Sequence, residues 1–168
     1  MEIQMALSLP RDVVSVPVTR QVLDRSMETL GVTSDTRADI ALALSEACAN
    51  VIQHADPGEE YEVRVSVSGC RCVIEVVSAS GHDGEPGEEL LAGFAVPSGP
   101  VPATAEHGRG LKIIDAVADN LQLRADGPLG ATVHFEKTLD WLPGAPGQHL
   151  FEAEHSARGV IAVPQQPA

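Results

Sequence analysis

Cysteine is scarce in this 168-residue chain: Cys48, Cys70 and Cys72 are too few and too irregularly spaced for the disulfide framework of a small secreted domain. Cys70-x-Cys72 has no second Cys or His pair to complete a zinc set, so reduced, packed thiols are the plainer reading. Staples are not required, because a single domain of this length buries roughly 70% of its unfolded-chain surface. No stretch approaches the roughly 18 to 20 continuous apolar residues of a membrane span. The start, Met1-Glu2-Ile3-Gln4-Met5, lacks the basic residues of a secretion signal. A soluble, cytoplasmic protein without membrane association is therefore expected. Basic side chains are also few, 11 against 24 acidic ones for a net charge of -13. That balance opposes the attraction on which nonspecific nucleic-acid binding depends, and it excludes a direct nucleic-acid role from the expectations. It suits equally a surface that steers a basic protein partner and one that is acidic for solubility alone.

What is present is a regular alternation of helical and strand patterns. Ile3 to Leu9 reads as a short strand, and a helix follows from about Val16 to Leu30, with Ser15 to cap it and Gly31 to stop it. A second helix is predicted from about Asp35 to Ala55, capped by Ser34 or Asp35. Its apolar stripe of Ile40, Leu44, Ala47 and Val51 follows the helical period. Tyr61 to Ser68 and Arg71 to Ser78 alternate apolar and polar residues around Gly69-Cys70 and read as a hairpin, with Val63, Val65 and Val67 on one face. Cys70 and Cys72, two apart, are expected to face the same side.

Residues 81 to 107 differ in kind: five glycines, four prolines and five carboxylates occur without a lysine or arginine. This composition predicts a long mobile loop, a functional lid or a disordered insert, in which Leu90 to Val96 could form a short helix. A third helix from Leu111 to Asn120 and strands near Leu121 to Ala125 and Ala131 to Thr138 complete the pattern. The fold class is α+β, a two-layer sandwich with helices on one face of a mainly antiparallel sheet. The domain is expected over residues 1–141, and residues 142–168, with Pro and Gly but no clear period, read as a tail that is possibly flexible.

On the second helix Asp39, Glu46, Asn50 and Gln53 fall within about 60° of one another and make a polar stripe. The plain reading of such a stripe is solvent. Glu46 and Asn50, however, project from successive turns. Asn50 offers a neutral oxygen suited to Mg²⁺, and Glu46 a carboxylate suited to take a proton from an attacking hydroxyl. That division of labour fits phosphoryl transfer, which is mainly positioning and charge stabilisation. Gly108-Arg109-Gly110 directly precedes the third helix, where backbone amides and the helix N-terminus favour phosphate; alone, a G-x-G at a helix start is as well explained by sterics.

Leu44-Ser45-Glu46-Ala47-Cys48-Ala49-Asn50-Val51-Ile52-Gln53-His54-Ala55 and His107-Gly108-Arg109-Gly110-Leu111-Lys112-Ile113-Ile114 resemble the N box and second glycine box of GHKL-type (Bergerat-fold) ATPases. More narrowly, residues 5 to about 139 resemble the anti-sigma-factor serine kinases of bacterial partner-switching systems. The resemblance implies the histidine kinase-like ATPase fold with residues 81–107 as the ATP lid. It also implies ATP and Mg²⁺ as cofactors, a sigma factor as the sequestered partner, and a STAS-domain anti-anti-sigma factor as the protein phosphorylated on serine. By position Glu46 is then the general base, Asn50 the magnesium ligand, and Gly108, Arg109, Gly110 and Leu111 the phosphate loop. Thr132 matches a threonine near the adenine. Homodimerisation, through the first strand and first helix, is a further expectation.

Where the family usually has Asp-x-Gly-x-Gly after the strand ending at Val77, this chain reads Ser78-Ala79-Ser80-Gly81-His82. Ser78 replaces a charged acceptor for the adenine amino group with a neutral one, weaker by roughly 1 kcal/mol or more. A second reading follows: a partner-switch binding module that keeps the ATPase scaffold with a degenerate adenine box. A sensor histidine-kinase fragment is the weakest reading, because no phosphoacceptor-histidine helix pair precedes the N box.

Overall fold

The computed structural model describes residues 2–53, 60–78, 109–125 and 131–151. Five strands, β1 (Glu2–Pro10), β2 (Glu60–Ser68), β3 (Arg71–Ser78), β4 (Asn120–Ala125) and β5 (Ala131–Thr138), form one sheet in the order β1-β2-β3-β5-β4. Every neighbouring pair is antiparallel. Period-two alternation decides which face is covered. Tyr61, Val63, Val65 and Val67 of β2 are at most 4% exposed, and their cross-strand partners Ser78, Val76, Ile74 and Cys72 on β3 are equally buried. Ala131, Val133 and Phe135 of β5 continue this apolar face.

Three helices cover it: α1 (Ser15–Leu30), α2 (Ser34–Gln53) and α3 (Arg109–Val117). The stripe read from sequence on α2, Ile40, Leu44, Ala47 and Val51, is buried against the sheet with Ala43 and Cys48. Lys137, at the far end of β5, bonds across the layers to Asp39 of α2 at 2.7 Å and to the Val117 carbonyl of α3 at 2.6 Å. A cation at a helix C-terminus is favourable, and here it also fixes the distance between two helices.

Some local expectations change. Ser15 is the first residue of α1 rather than its cap. Its hydroxyl turns inward to Tyr61 Oη at 2.7 Å and donates to the Asp12 carbonyl. Ser34 and Asp35, the expected caps, are likewise the first two residues of α2. Gly31 does stop α1, at φ 86°, with the Gly31 N–H donating to the Glu28 carbonyl. Cys70 and Cys72 do not share a side: Cys72 is buried and Cys70 exposed, because Cys70 falls in the turn, where strand alternation does not hold.

Residues 142–151, expected to belong to a tail, pack on the α1–α2 junction. Thr33 N–H donates to the Asp140 carbonyl, Leu142 N–H to the Gly31 carbonyl, and Val32 bridges Trp141. Residues 146–151 form a short helix whose Phe151, 5% exposed, meets Trp141 ring to ring at 6.0 Å. Gly31 and Gly147 make this docking possible: a Cβ on Gly31 would lie 2.6 Å from Ala145 Cβ, and one on Gly147 would run into the Trp141 ring. The expected lid at 81–107, the helix at 90–96 and the tail beyond 151 lie outside the described residues.

Candidate functional site

The polar stripe of α2 divides in the structure. Asp39 is engaged by Lys137 and belongs to the scaffold. Gln53 is exposed at the end of the helix. Glu46 and Asn50, half-buried, turn toward the first turn of α3. They converge on Gly110: a Cβ built there would stand 2.9 Å from Glu46 Oε2 and 3.1 Å from both Asn50 Nδ2 and Oδ1. Gly110 is helical and buried, so no unusual backbone conformation calls for glycine. The close approach of two polar side chains does.

Asn50 Nδ2 is buried and has no hydrogen-bond partner among the described residues. A buried amide left unsatisfied costs about 1 to 3 kcal/mol, and such a group in a native protein calls for a ligand or an ordered water. The N and O of a side-chain amide are interchangeable by a flip, so the same position can present either a donor or the carbonyl oxygen. Beside it, the α3 N-terminus offers backbone N–H groups that have no carbonyl inside the helix. A carboxylate, a flippable amide and a helix N-terminus around a glycine thus make a polar nook whose groups suit an anion and its counter-cation.

The remaining sequence-derived residues are placed as follows. Arg109 opens α3 and is exposed, while Leu111 is 2% exposed with its side chain in the core, so only its backbone can serve a ligand. Gly108 lies outside the described residues. Ser78 ends β3 on the helix-covered face, 2% exposed, and its Oγ accepts a hydrogen bond from Arg11 Nη2 at 2.7 Å. Thr132 pairs with Val77 and Arg124 and so lies on the opposite face of the sheet from Ser78, whose cross-strand neighbour on β5 is Ala131. One residue along a strand reverses the face, so Ala131 and Thr132 point to opposite sides of the sheet. Arg11 was missed, since it stands 67 residues from Ser78 in a turn without periodicity.

Under the site, Cys48 of α2 lies beside Tyr61. Burial pushes the Cys48 thiol up to about 12, outweighing the opposing hydrogen bond from Tyr61, and it pushes the Tyr61 hydroxyl to about 12 as well. Burial alone takes Cys72 to about 12. These thiols are protonated packing groups and not nucleophiles. Among the described residues no three His, Cys, Asp or Glu side chains are grouped to hold a metal ion. A magnesium ion shared between one protein oxygen and phosphates does not need such a group. Nor, among them, is any helix long and apolar enough to cross a membrane.

The comparisons with known proteins agree with this geometry. Residues 9–137 match the model of the histidine kinase-like ATPase domain. The serine-protein kinase RsbW of Bacillus velezensis is 29% identical over 138 residues, 80% of this chain and 84% of that protein. RsbW of Bacillus licheniformis is 30% identical over 130 residues, 74% and 79% of the two chains. The crystal structure of the RsbU and RsbW domains of Rv1364c from Mycobacterium tuberculosis superposes with a TM-score of 0.60 at 16% identity, over 82% of this chain and 32% of that one. That likeness concerns the fold. With the family model spanning most of the sheet and all three helices, the chain belongs to the histidine kinase-like ATPase domain family, among the relatives of the RsbW anti-sigma-factor serine kinases.

Proposed function

We propose that this chain binds ATP with Mg²⁺ in the nook between α2 and α3, holds a sigma factor inactive, and phosphorylates a serine of a STAS-domain anti-anti-sigma factor. The observation that carries the reading is the convergence of Glu46 and Asn50 on Gly110, with a buried Asn50 amide atom left for a ligand. Asn50 would hold the magnesium ion through its carbonyl oxygen. The ion, when bound, supplies charge neutralisation at the phosphates. The N–H groups of Arg109, Gly110 and Leu111 in the first turn of α3, with that of the preceding Gly108 in sequence, would hold the phosphate oxygens and orient the terminal phosphoryl group. Glu46 accepts the proton of the incoming serine hydroxyl at its carboxylate as the serine oxygen takes the phosphoryl group and ADP leaves. Such a base contributes about 10² to 10⁴-fold.

One observation favours a second reading. Ser78, a neutral residue held by Arg11, stands where the family pattern has its adenine-binding carboxylate, as it would in a binding module that no longer turns ATP over. Transfer of labelled phosphate from ATP to a STAS-domain antagonist separates the two. The kinase reading expects transfer by the wild type and a loss of at least about 10²-fold in Glu46→Ala. No transfer despite nucleotide binding favours the binding module, and transfer that survives the substitution removes Glu46 as the base. The edge strand β1 and the exposed Val18 and Val22 of α1 are the surfaces proposed for a homodimer.

A further inference from the structure

On β5 the residues that face the helices are Ala131, Val133 and Phe135, all buried, and the next in the alternation is Lys137. Its cross-strand partner is the buried Cys72. Period two calls for an apolar side chain at this place, and a lysine kept largely out of water needs partners. The Lys137 side chain, 17% exposed, has them on two helices. Its Nζ donates to Asp39 Oδ2 of α2 at 2.7 Å and to the carbonyl of Val117, the last residue of α3, at 2.6 Å. An apolar residue would fill the same space without tying the end of α3 to one point of α2, because the burial of apolar surface is non-directional.

The other end of α3 carries the nook. Gly110 lies against Glu46 and Asn50, farther along α2 than Asp39, so the two helices run antiparallel with the clamp at one end and the site at the other. From Val117 back to Gly110 the helix spans only about 10 Å. Leu111 and Ile114 seat α3 in the core, and Gly110 has no side chain of its own. A tilt or slip of α3 at its clamped end therefore carries the Gly110 backbone toward or away from the Glu46 and Asn50 side chains. We infer that Lys137 is a positioning residue for the nucleotide site. By holding the C-terminal end of α3 against Asp39, it sets the spacing between the first-turn N–H groups of α3 and the Glu46–Asn50 pair, and with it the affinity for a nucleoside triphosphate with Mg²⁺. The inference rests on the nucleotide reading proposed above.

Calorimetric titration of the full chain with a non-hydrolysable ATP analogue and Mg²⁺, at a temperature well below unfolding, tests it. Lys137→Met keeps an apolar stem of similar length and removes the donors. Its Kd should rise at least about fivefold, because small misplacements of positioned groups are costly. Asp39→Asn keeps the size of the side chain and removes its charge. It should give a smaller rise in the same direction, which keeps the test intact if Lys137→Met folds poorly. Arg37→Met is the control for a merely structural role, since Arg37 ties α2 to Asp24 and Glu28 of α1 at 3.1 and 3.4 Å. It should lower the urea midpoint and leave the Kd within about twofold of the wild type, as expected of a site that shares no partner with the nook. An unchanged Kd in both Lys137→Met and Asp39→Asn overturns the inference and leaves the nucleotide site standing. A rise in Arg37→Met equal to that in Lys137→Met also overturns it, because affinity would then follow general stability. Binding by none of these proteins, the wild type included, overturns the nucleotide reading itself.

Discussion

Gly110 is the position where a single methyl group separates scaffold from function. Its Cβ would meet the ends of the Glu46 and Asn50 side chains at 2.9 and 3.1 Å, and these are mobile groups that can swing aside. Alanine also favours the helix by about 1 kcal/mol over glycine. Gly110→Ala should therefore leave stability within about 1 kcal/mol of the wild type while nucleotide binding falls at least tenfold, as the two side chains leave the nook. Denaturant unfolding alongside calorimetric titration checks this, and unchanged binding would mean that the nook is packing. At this scale the sequence was informative where residue type is tied to helical spacing. Glu46 and Asn50 lie four apart, and any helix places them together. It was uninformative for Arg11, brought to Ser78 by the pairing of β1 through β2 to β3, and silent on the face of Thr132, where an adjacent residue points the other way.

At the scale of elements, strands and helices were legible because burial imposes periods of 2 and 3.6 on them. The alternation of β2 and the stripe of α2 appear in the fold as read. Residues 142–151 were not legible, because their docking depends on two glycines that permit close approach and on hydrogen bonds to the turn at Gly31. Neither leaves a period. This segment supports the α1–α2 junction from below, and Phe151 is its buried anchor. Phe151→Ala should cost about 3 kcal/mol, at the low end for a buried phenylalanine because the site is at the edge of the core. The shift of the urea midpoint measures it, and a change below about 0.5 kcal/mol would show that the segment is not part of the cooperative unit.

For the whole molecule, the two buried thiols make an alkaline limit. Cys48 and Cys72 are held near 12 by burial, against a value of 9.0 when free. The unfolded chain thus releases protons that the folded chain keeps. Their contribution to stability is fully present below about pH 9 and is lost as the pH rises toward about 12, by roughly 1.4 kcal/mol per pH unit for each thiol. Unfolding midpoints measured at pH 8, 9 and 10 should fall over the last interval, and a flat profile would place the thiols in contact with solvent. The acidic chain has a net charge of -13, and among the described residues its candidate phosphate site joins the helix N-terminus at Arg109 with the Asn50 amide and the Glu46 carboxylate. On the proposed reading a bound cation would reconcile a triphosphate with the neighbouring Glu46. The most direct test of the account is accordingly calorimetric titration with a non-hydrolysable ATP analogue, with and without Mg²⁺, for the wild type and Asn50→Ala. Magnesium-dependent binding by the wild type that disappears in Asn50→Ala is the expected result, and binding indifferent to both the ion and the substitution would contradict it.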